Sequence, residues 1–373
     1  MMKTKKLTKL LLIFILLNSG ILISFYNHYY LLYLFNKRDH ESHDLIIENN
    51  LELSSYLIYN ENFQSVEFNN YSITNASGWG QGLLHLPNQD IVNISIFKNN
   101  FNNIQTIEFF ENLAILADIS FGIKILNISN PLNPYLIKSL GDSYNETLDI
   151  TIEGKYAYVA DGMDGLEILD LNNPTNPQKI NSWSNSHNIT NVLIKDNLAF
   201  LSVQDLGVEI LNISNPYNVF KVGNWTNFES PCRVEVIGNF LFLANKNDDI
   251  EIINISNLEN IFKISQLTIT GQSYNFQIKG DYLYLANGLG GLKIIDIQDI
   301  ANPTIINTYY EDGIIKDVLI DENYAFLACD YYGLTIIDIL NPLDVKLINH
   351  WDNEKEISLI TKYGNNIFLG KGS

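Results

Sequence analysis

The stretch "GLEILDLNNPTNPQKINSW" occupies residues 165–183. It opens on a glycine, alternates apolar and polar residues, breaks at Asn-Pro, and climbs again to a tryptophan. The same phrase returns as "GVEILNISNPYNVFKVGNW" (207–225) and "GLTIIDILNPLDVKLINHW" (333–351). Alternation at period two, rich in Ile and Val, is the pattern of a half-buried strand. Glycine and Asn-Pro are turn residues, the one free to take positive φ and the other fixing the backbone. Each phrase therefore reads as turn, strand, turn, strand.

Outward from this phrase the whole chain falls into register. Asn112, Lys155, Asn197, Asn239, Asp281 and Asn323 are spaced by 43 and then by 42 residues. Ten residues past these anchors stand Gly122, Gly165, Gly207, Asp249, Gly291 and Gly333. Fifteen past stand Asn127, Asp170, Asn212, Asn254, Asp296 and Asp338, and a further Asx column follows at eighteen. Five past is a column of small residues: Ala117, Ala160, Ser202, Ala244, Ala286 and Ala328. Around each anchor lie two more alternating segments, such as "VLIKD" (192–196) and "LAFLS" (198–202). Four short strands per 42 residues make one four-stranded antiparallel sheet, and sheets repeated radially make a β-propeller. The glycine column calls for positive φ, and Asp249 is a residue type that tolerates it. The small column lets adjacent blades approach closely.

Six repeats are complete, over about 104–356. The last segment, "EISLITKYGNNIFLGKGS" (356–373), supplies two strands, and "GLLHLPNQDIVNISIF" (82–97) supplies a third and a fourth. The economical closure is seven blades with the last shared between the two chain segments. A ring of eight is the alternative, because residues 63–75 resemble two degenerate first strands.

"EGKYAYVADGMDGLEILDLNNPTNP" (153–177) resembles the LVIVD repeat family. The resemblance covers about 104–370 and implies a β-propeller, often secreted or surface-attached, with no reaction attached to it. A WD40 propeller fits less well: Trp351-Asp352 occurs once, and Gly-His does not occur.

The N-terminus reads as an address. "LLLIFILLNSGILISFY" (10–26) follows Lys3, Lys5, Lys6 and Lys9, and "YYLLYLF" (29–35) is closed by Lys37 and Arg38. No charge interrupts 10–36, long enough for a spanning helix of roughly 20 residues. The domain reading is therefore a signal anchor or transmembrane helix over 1–36, a linker over 37–60, and the propeller over 61–373. More basic residues precede the helix than follow it, which places the propeller outside the cytoplasm. Secretion after signal-peptide cleavage is the alternative.

Beyond Arg38 the chain carries 17 basic against 42 acidic residues. Such a body repels phosphate backbones, which argues against nucleic-acid binding. Cys232 and Cys329 sit two repeats apart, too far for a disulfide. Nine Asn-x-Ser/Thr triplets occur, but Asn127, Asn212 and Asn254 share one repeat column and so have a structural reading. No Walker loop, GxSxG or HExxH is present, and no motif calls for a cofactor. His40 and His43 lack a third ligand nearby, and "DGMDG" (161–165) lacks the closing Glu of a calcium loop, so no metal site is assigned.

The candidate site is positional. Six residues before the anchors stand Asp149, Asn191, Arg233, Asn275 and Asp317, where the innermost strands of a propeller begin at the channel mouth. The segments beside them vary most between repeats, and variation on a repeated scaffold is where a site is specified. The functional expectation is a membrane-anchored, surface-displayed module that binds a protein or glycan at one propeller face. The alternative is a propeller hydrolase or lyase acting on saccharides with the Asp149 and Asp317 carboxylates.

Overall fold

The computed structural model describes residues 103–370, apart from 131–133, 142–145, 228, 352–355 and 365, together with short strands between residues 22 and 96. Six four-stranded antiparallel sheets follow one another along the chain. The second is representative: Asp149–Glu153, Tyr156–Ala160, Leu166–Asp170 and Gln178–Trp183, paired in sequence order. The others span residues 104–140, 189–226, 231–272, 275–309 and 317–351. The first strands of successive blades lie side by side, and a last hairpin, Leu359–Tyr363 with Asn366–Gly370, lies between blade 6 and blade 1. The chain is a β-propeller, with the first strand of each blade on the channel.

The sequence expects seven like blades, and the structure has six. The hairpin at the seventh position does not grow into a fourfold antiparallel sheet. Its outer neighbour is Ser72–Asn75, which runs parallel to Asn366–Gly370, and Ser95–Ile96 runs parallel to that. Among the described residues, the expected third and fourth strands of 82–97 give a two-stranded ladder of Leu83–Leu84 with Val92–Asn93, besides Ser95–Ile96. Pro87 and the polar run after it leave the apolar alternation there too short for a full strand. Most of the expected N-terminal helix, and the linker up to residue 57 with His40 and His43, lie outside the described residues. Of the helix, Leu22–Tyr26 and Tyr29–Tyr33 are described, as an antiparallel strand pair. Their Ile, Phe and Tyr content favours strand.

Among the described residues the buried apolar side chains form seven clusters, each between two neighbours in the ring. Between blades 2 and 3, for example, Tyr158, Leu166 and Ile168 meet Val192, Ala199 and Leu201. The hairpin supplies two of these joints, with Ile360, Ile367 and Leu369 against blade 6 and Phe368 against blade 1. Phe109 of blade 1 lies 4.9 Å from Phe368 and stacks at 4.7 Å on Tyr363. The small column is fully buried at Ala117, Ala160, Ser202, Ala244, Ala286 and Ala328.

The turn columns answer backbone demands. Gly122, Gly165, Gly207, Gly291 and Gly333 all have positive φ. At Gly165 a Cβ would stand 2.2 Å from the Trp183 carbonyl oxygen, so the close approach also requires glycine. Asp249 departs from the expectation and does not take positive φ. Instead its hairpin lengthens into Asn247–Asn254 and Phe262–Gln272, because without a glycine the chain stays extended past the usual turn. The Asx side chains at the next column accept the backbone N–H two residues on, as Asn127 does from Ser129 at 3.0 Å and Asp338 from Leu340 at 2.8 Å. In all six blades the outer strand carries one extra residue opposite the same point of the third strand. These bulged residues are Ile137, Ile180, Val222, Ile264, Ile306 and Ile348, and each packs on the nearest core.

Candidate ligand site at the channel mouth

Each inner strand enters the ring from one face. The loop between the second and third strands returns to that face and bridges to the entry of the next inner strand. Three such bridges are Gly162 with Ile189, Gly288 with Ile315, and Asp330 with Ile357. Strand entries and loops together surround a cavity of about 630 Å³. Asp149, Asn191, Arg233, Asn275 and Asp317 all line it, and Thr106 and Leu359 complete their column around the ring. Side chains two residues further along a strand share its face. A second tier follows accordingly, with Glu108, Thr151 and Gln277 lining a narrower space of about 110 Å³ beneath the first.

Several of these polar groups join blades. Asp149 is 5% exposed, and its Oδ2 accepts from the Asn191 amide and, at 2.9 Å, from the Val192 N–H of the next blade. Asp317 is 3% exposed and accepts from the Asn275 amide, from its neighbour Val318 at 2.8 Å, and from Ile360 N–H of the closing hairpin at 2.8 Å. Gln277 accepts from Ile320 N–H at 2.7 Å, and Glu235 from Ile278 N–H at 3.2 Å. In the four bonds from a backbone N–H of the adjoining strand, the acceptor and the donor stand 43 residues apart.

Burial sets the electrostatics. It pushes the Asp149 carboxyl up to about 6, against the Arg233 charge and the Val192 N–H. It pushes Asp317 up to about 6 as well, against the Ile360 N–H and the Asn275 amide. Glu108 rises to about 7 through burial and then through repulsion by Asp149, with Arg233 opposing. Glu235 is raised by burial, with Arg233 again opposing. Arg233 thus stands among four carboxyls, yet among the described residues no carboxylate lies within 4.0 Å of its guanidinium.

Position in the repeat locates the five mouth residues, but it misses the rest of the lining. Lys246 stands seven past its anchor, where other blades have Gly162, Gln204, Gly288 and Asp330. That departure from the repeat was the available signal. Glu108 and Gln277 follow from period two, applied one step further down the strands. Lys316 reaches the mouth already paired with Glu356 at 3.1 Å and Asp330 at 3.4 Å. Cys232 lines the cavity and Cys329 is buried, and both are free thiols.

The model of the LVIVD repeat matches residues 146–184, 230–264, 270–311 and 312–352. The chain carries LVIVD repeats. In this LVIVD propeller the four matches cover blades 2, 4, 5 and 6, and blades 1 and 3 keep the same columns with more divergent residues. No curated protein sequence matches the chain. Among solved structures, the computationally designed Ika8 protein superposes with a TM-score of 0.59 at 11% identity, over 84% of this chain and 92% of that one. A functionally unknown protein from Desulfotomaculum acetoxidans gives 0.58 at 11% identity, over 75% and 93%. The periplasmic gluconolactonase of Pseudomonas aeruginosa gives 0.60 at 9% identity, over 70% and 88%. Identities this low establish a shared fold and nothing of the chemistry.

Proposed function

We propose that this LVIVD propeller is a recognition module, held at the cell membrane by its N-terminal apolar segment with the propeller outside the cytoplasm. It takes a polar group of a protein or glycan partner into the channel mouth. The observation that carries this reading is convergence. Five polar side chains from five blades line one cavity of about 630 Å³, within the size range of small-molecule sites, roughly 300–1,000 Å³. Among the described residues no helix is long and apolar enough to cross a membrane, so the anchor rests on the sequence of residues 10–36. Two experiments test the reading. Protease added to intact cells should remove the propeller, and protection of it would reject the external location. Equilibrium binding of the chain to glycan and peptide panels should give a ligand that Arg233→Gln weakens, whereas a ligand indifferent to every mouth substitution would place recognition elsewhere.

The second reading is a saccharide hydrolase or lyase. Its support is Glu108, raised to about 7 beside Asp149, a pairing suited to proton transfer near neutral pH. Against it, Asp149 and Asp317 already spend oxygens on backbone N–H groups of the next strand. Turnover of any glycan, lost in Glu108→Gln with binding retained, would favour this reading over the first.

A further inference from the structure

We propose that the mouth selects a hydroxyl-rich monocarboxylate, an acidic sugar unit, with Arg233 and Lys246 of blade 4 holding its carboxylate. The proposal rests on the recognition reading above and narrows it to a ligand class. Its first ground is charge. Acidic groups heavily outnumber basic ones in this chain. Of the described lysines, Lys179, Lys221, Lys263, Lys316, Lys346 and Lys362 lie against a carboxylate, and Lys124, Lys138, Lys155, Lys195, Lys279 and Lys293, which do not, lie outside the mouth. Arg233 and Lys246 line the same cavity, and among the described residues neither has an ion pair. They belong to one hairpin, since Arg233 pairs across to Ala244, two residues before Lys246. In so acidic a molecule, two neighbouring cations at one cavity with no carboxylate in direct contact keep their donors open for a charge that arrives from outside.

The second ground is side-chain type. Arg38 and Arg233 are the only arginines, so Arg233 is the sole guanidinium of the propeller. Its planar fork matches a carboxylate through two parallel hydrogen bonds, which an ammonium does not offer. The third ground is the neutral lining. Thr106, Thr190, Asn191, Gln204, Gln272 and Asn275 present hydroxyls and amides, the complement of a polyol. Two lining atoms are buried without a partner, Asn191 Oδ1 and Ser273 Oγ, on residues 7% and 1% exposed. Buried polar atoms normally find a hydrogen bond, so both ask for a ligand hydroxyl or an ordered water. The carboxyls of Asp149 and Asp317 stand in the same wall and disfavour a multiply charged group. A single negative charge on a sugar ring meets all four conditions, and a phosphate dianion does not.

The test is calorimetry on the full chain with three probes: a galactose oligomer of two or three units carrying one galacturonate, the neutral galactose oligomer of equal length, and inorganic phosphate. The acidic oligomer should bind, and the other two should bind at least about tenfold more weakly. Arg233→Gln should weaken the acidic oligomer by between about tenfold and a hundredfold. Arg233→Lys should recover part of that loss. Arg233 opposes the charge of Glu108, Asp149, Glu235 and Asp317, so each variant is melted beside the native chain; Arg233→Lys keeps that charge and should melt with it, which separates lost binding from lost folding. Equal binding of the neutral oligomer, unaffected by Arg233→Gln, overturns the carboxylate proposal and leaves the recognition reading standing. Preference for phosphate also overturns it. If no probe binds and no peptide or glycan of the wider panel responds to mouth substitutions, both readings fall together.

Discussion

At the residue scale, single side chains are fixed by single backbone demands. Gly165 combines φ of +93° with a carbonyl oxygen 2.2 Å from where a Cβ would sit, whereas Gly154, at +61°, has open space around it. Gly165→Ala should therefore cost more than about 2 kcal/mol and Gly154→Ala about 1 kcal/mol, read by urea denaturation. Asp149 makes a different prediction. Its folded carboxyl is raised to about 6 from an ordinary 3.8, so the folded state binds the proton more tightly. Stability on this account is greatest below pH 4 and is lost as pH rises through about 6. The stability of the native chain relative to Asp149→Asn should thus fall by about 1–3 kcal/mol between pH 4 and pH 7. The glycine column was legible because only glycine fits its conformation. Asp249 was misread because a residue that tolerates positive φ is under no obligation to adopt it.

At the element scale, the blade was legible and the joint was not. Alternation, turn residues and the small column together specify four strands and their order. What locks one blade to the next is a side chain accepting an N–H from the adjoining strand, 43 residues on, and no local pattern marks it. Two of the five candidate site residues thereby have a second occupation, since Asp149 and Asp317 line the mouth and also tie the ring. Gln277→Leu should leave the Ile320 N–H without its acceptor between blades 5 and 6. We expect a loss of roughly 1–3 kcal/mol and faster hydrogen exchange at Ile320, with the other joints unchanged.

At the scale of the whole molecule, closure decides stability. The closing hairpin covers apolar surface on both neighbours, with Phe368 on blade 1 and Ile367 and Leu369 on blade 6. Removing residues 357–373 should expose both joints and abolish the cooperative thermal transition, with the protein recovered as aggregate. Count was the part of the architecture least legible in the sequence. The repeat columns give six blades directly, whereas the seventh position depends on segments whose alternation is too short to announce a pairing direction. The channel as a whole also titrates. Glu108, Asp149 and Asp317 lose negative charge as pH falls from 7.5 to 5.5, so repulsion of an anion at the mouth weakens. Lys316 remains held by Asp330 and Glu356. Affinity for a carboxylate ligand should rise over that interval, and calorimetry at the two pH values checks the sign.

The bulge that recurs in each outer strand has a consequence for life at high concentration. A propeller exposes one free strand edge per blade, and every such edge is a template on which another chain can zip up. A bulge bends the edge out of register with a flat partner, and lysines on it add repulsion between copies. Lys138, Lys179, Lys221, Lys263 and Lys346 guard five of the six edges in this way. The outer strand of blade 5, Thr304–Tyr309, has the bulge but no charge, and it leaves Ile305 41% exposed. That strand is the seam at which this otherwise self-contained ring would first adhere to its own kind.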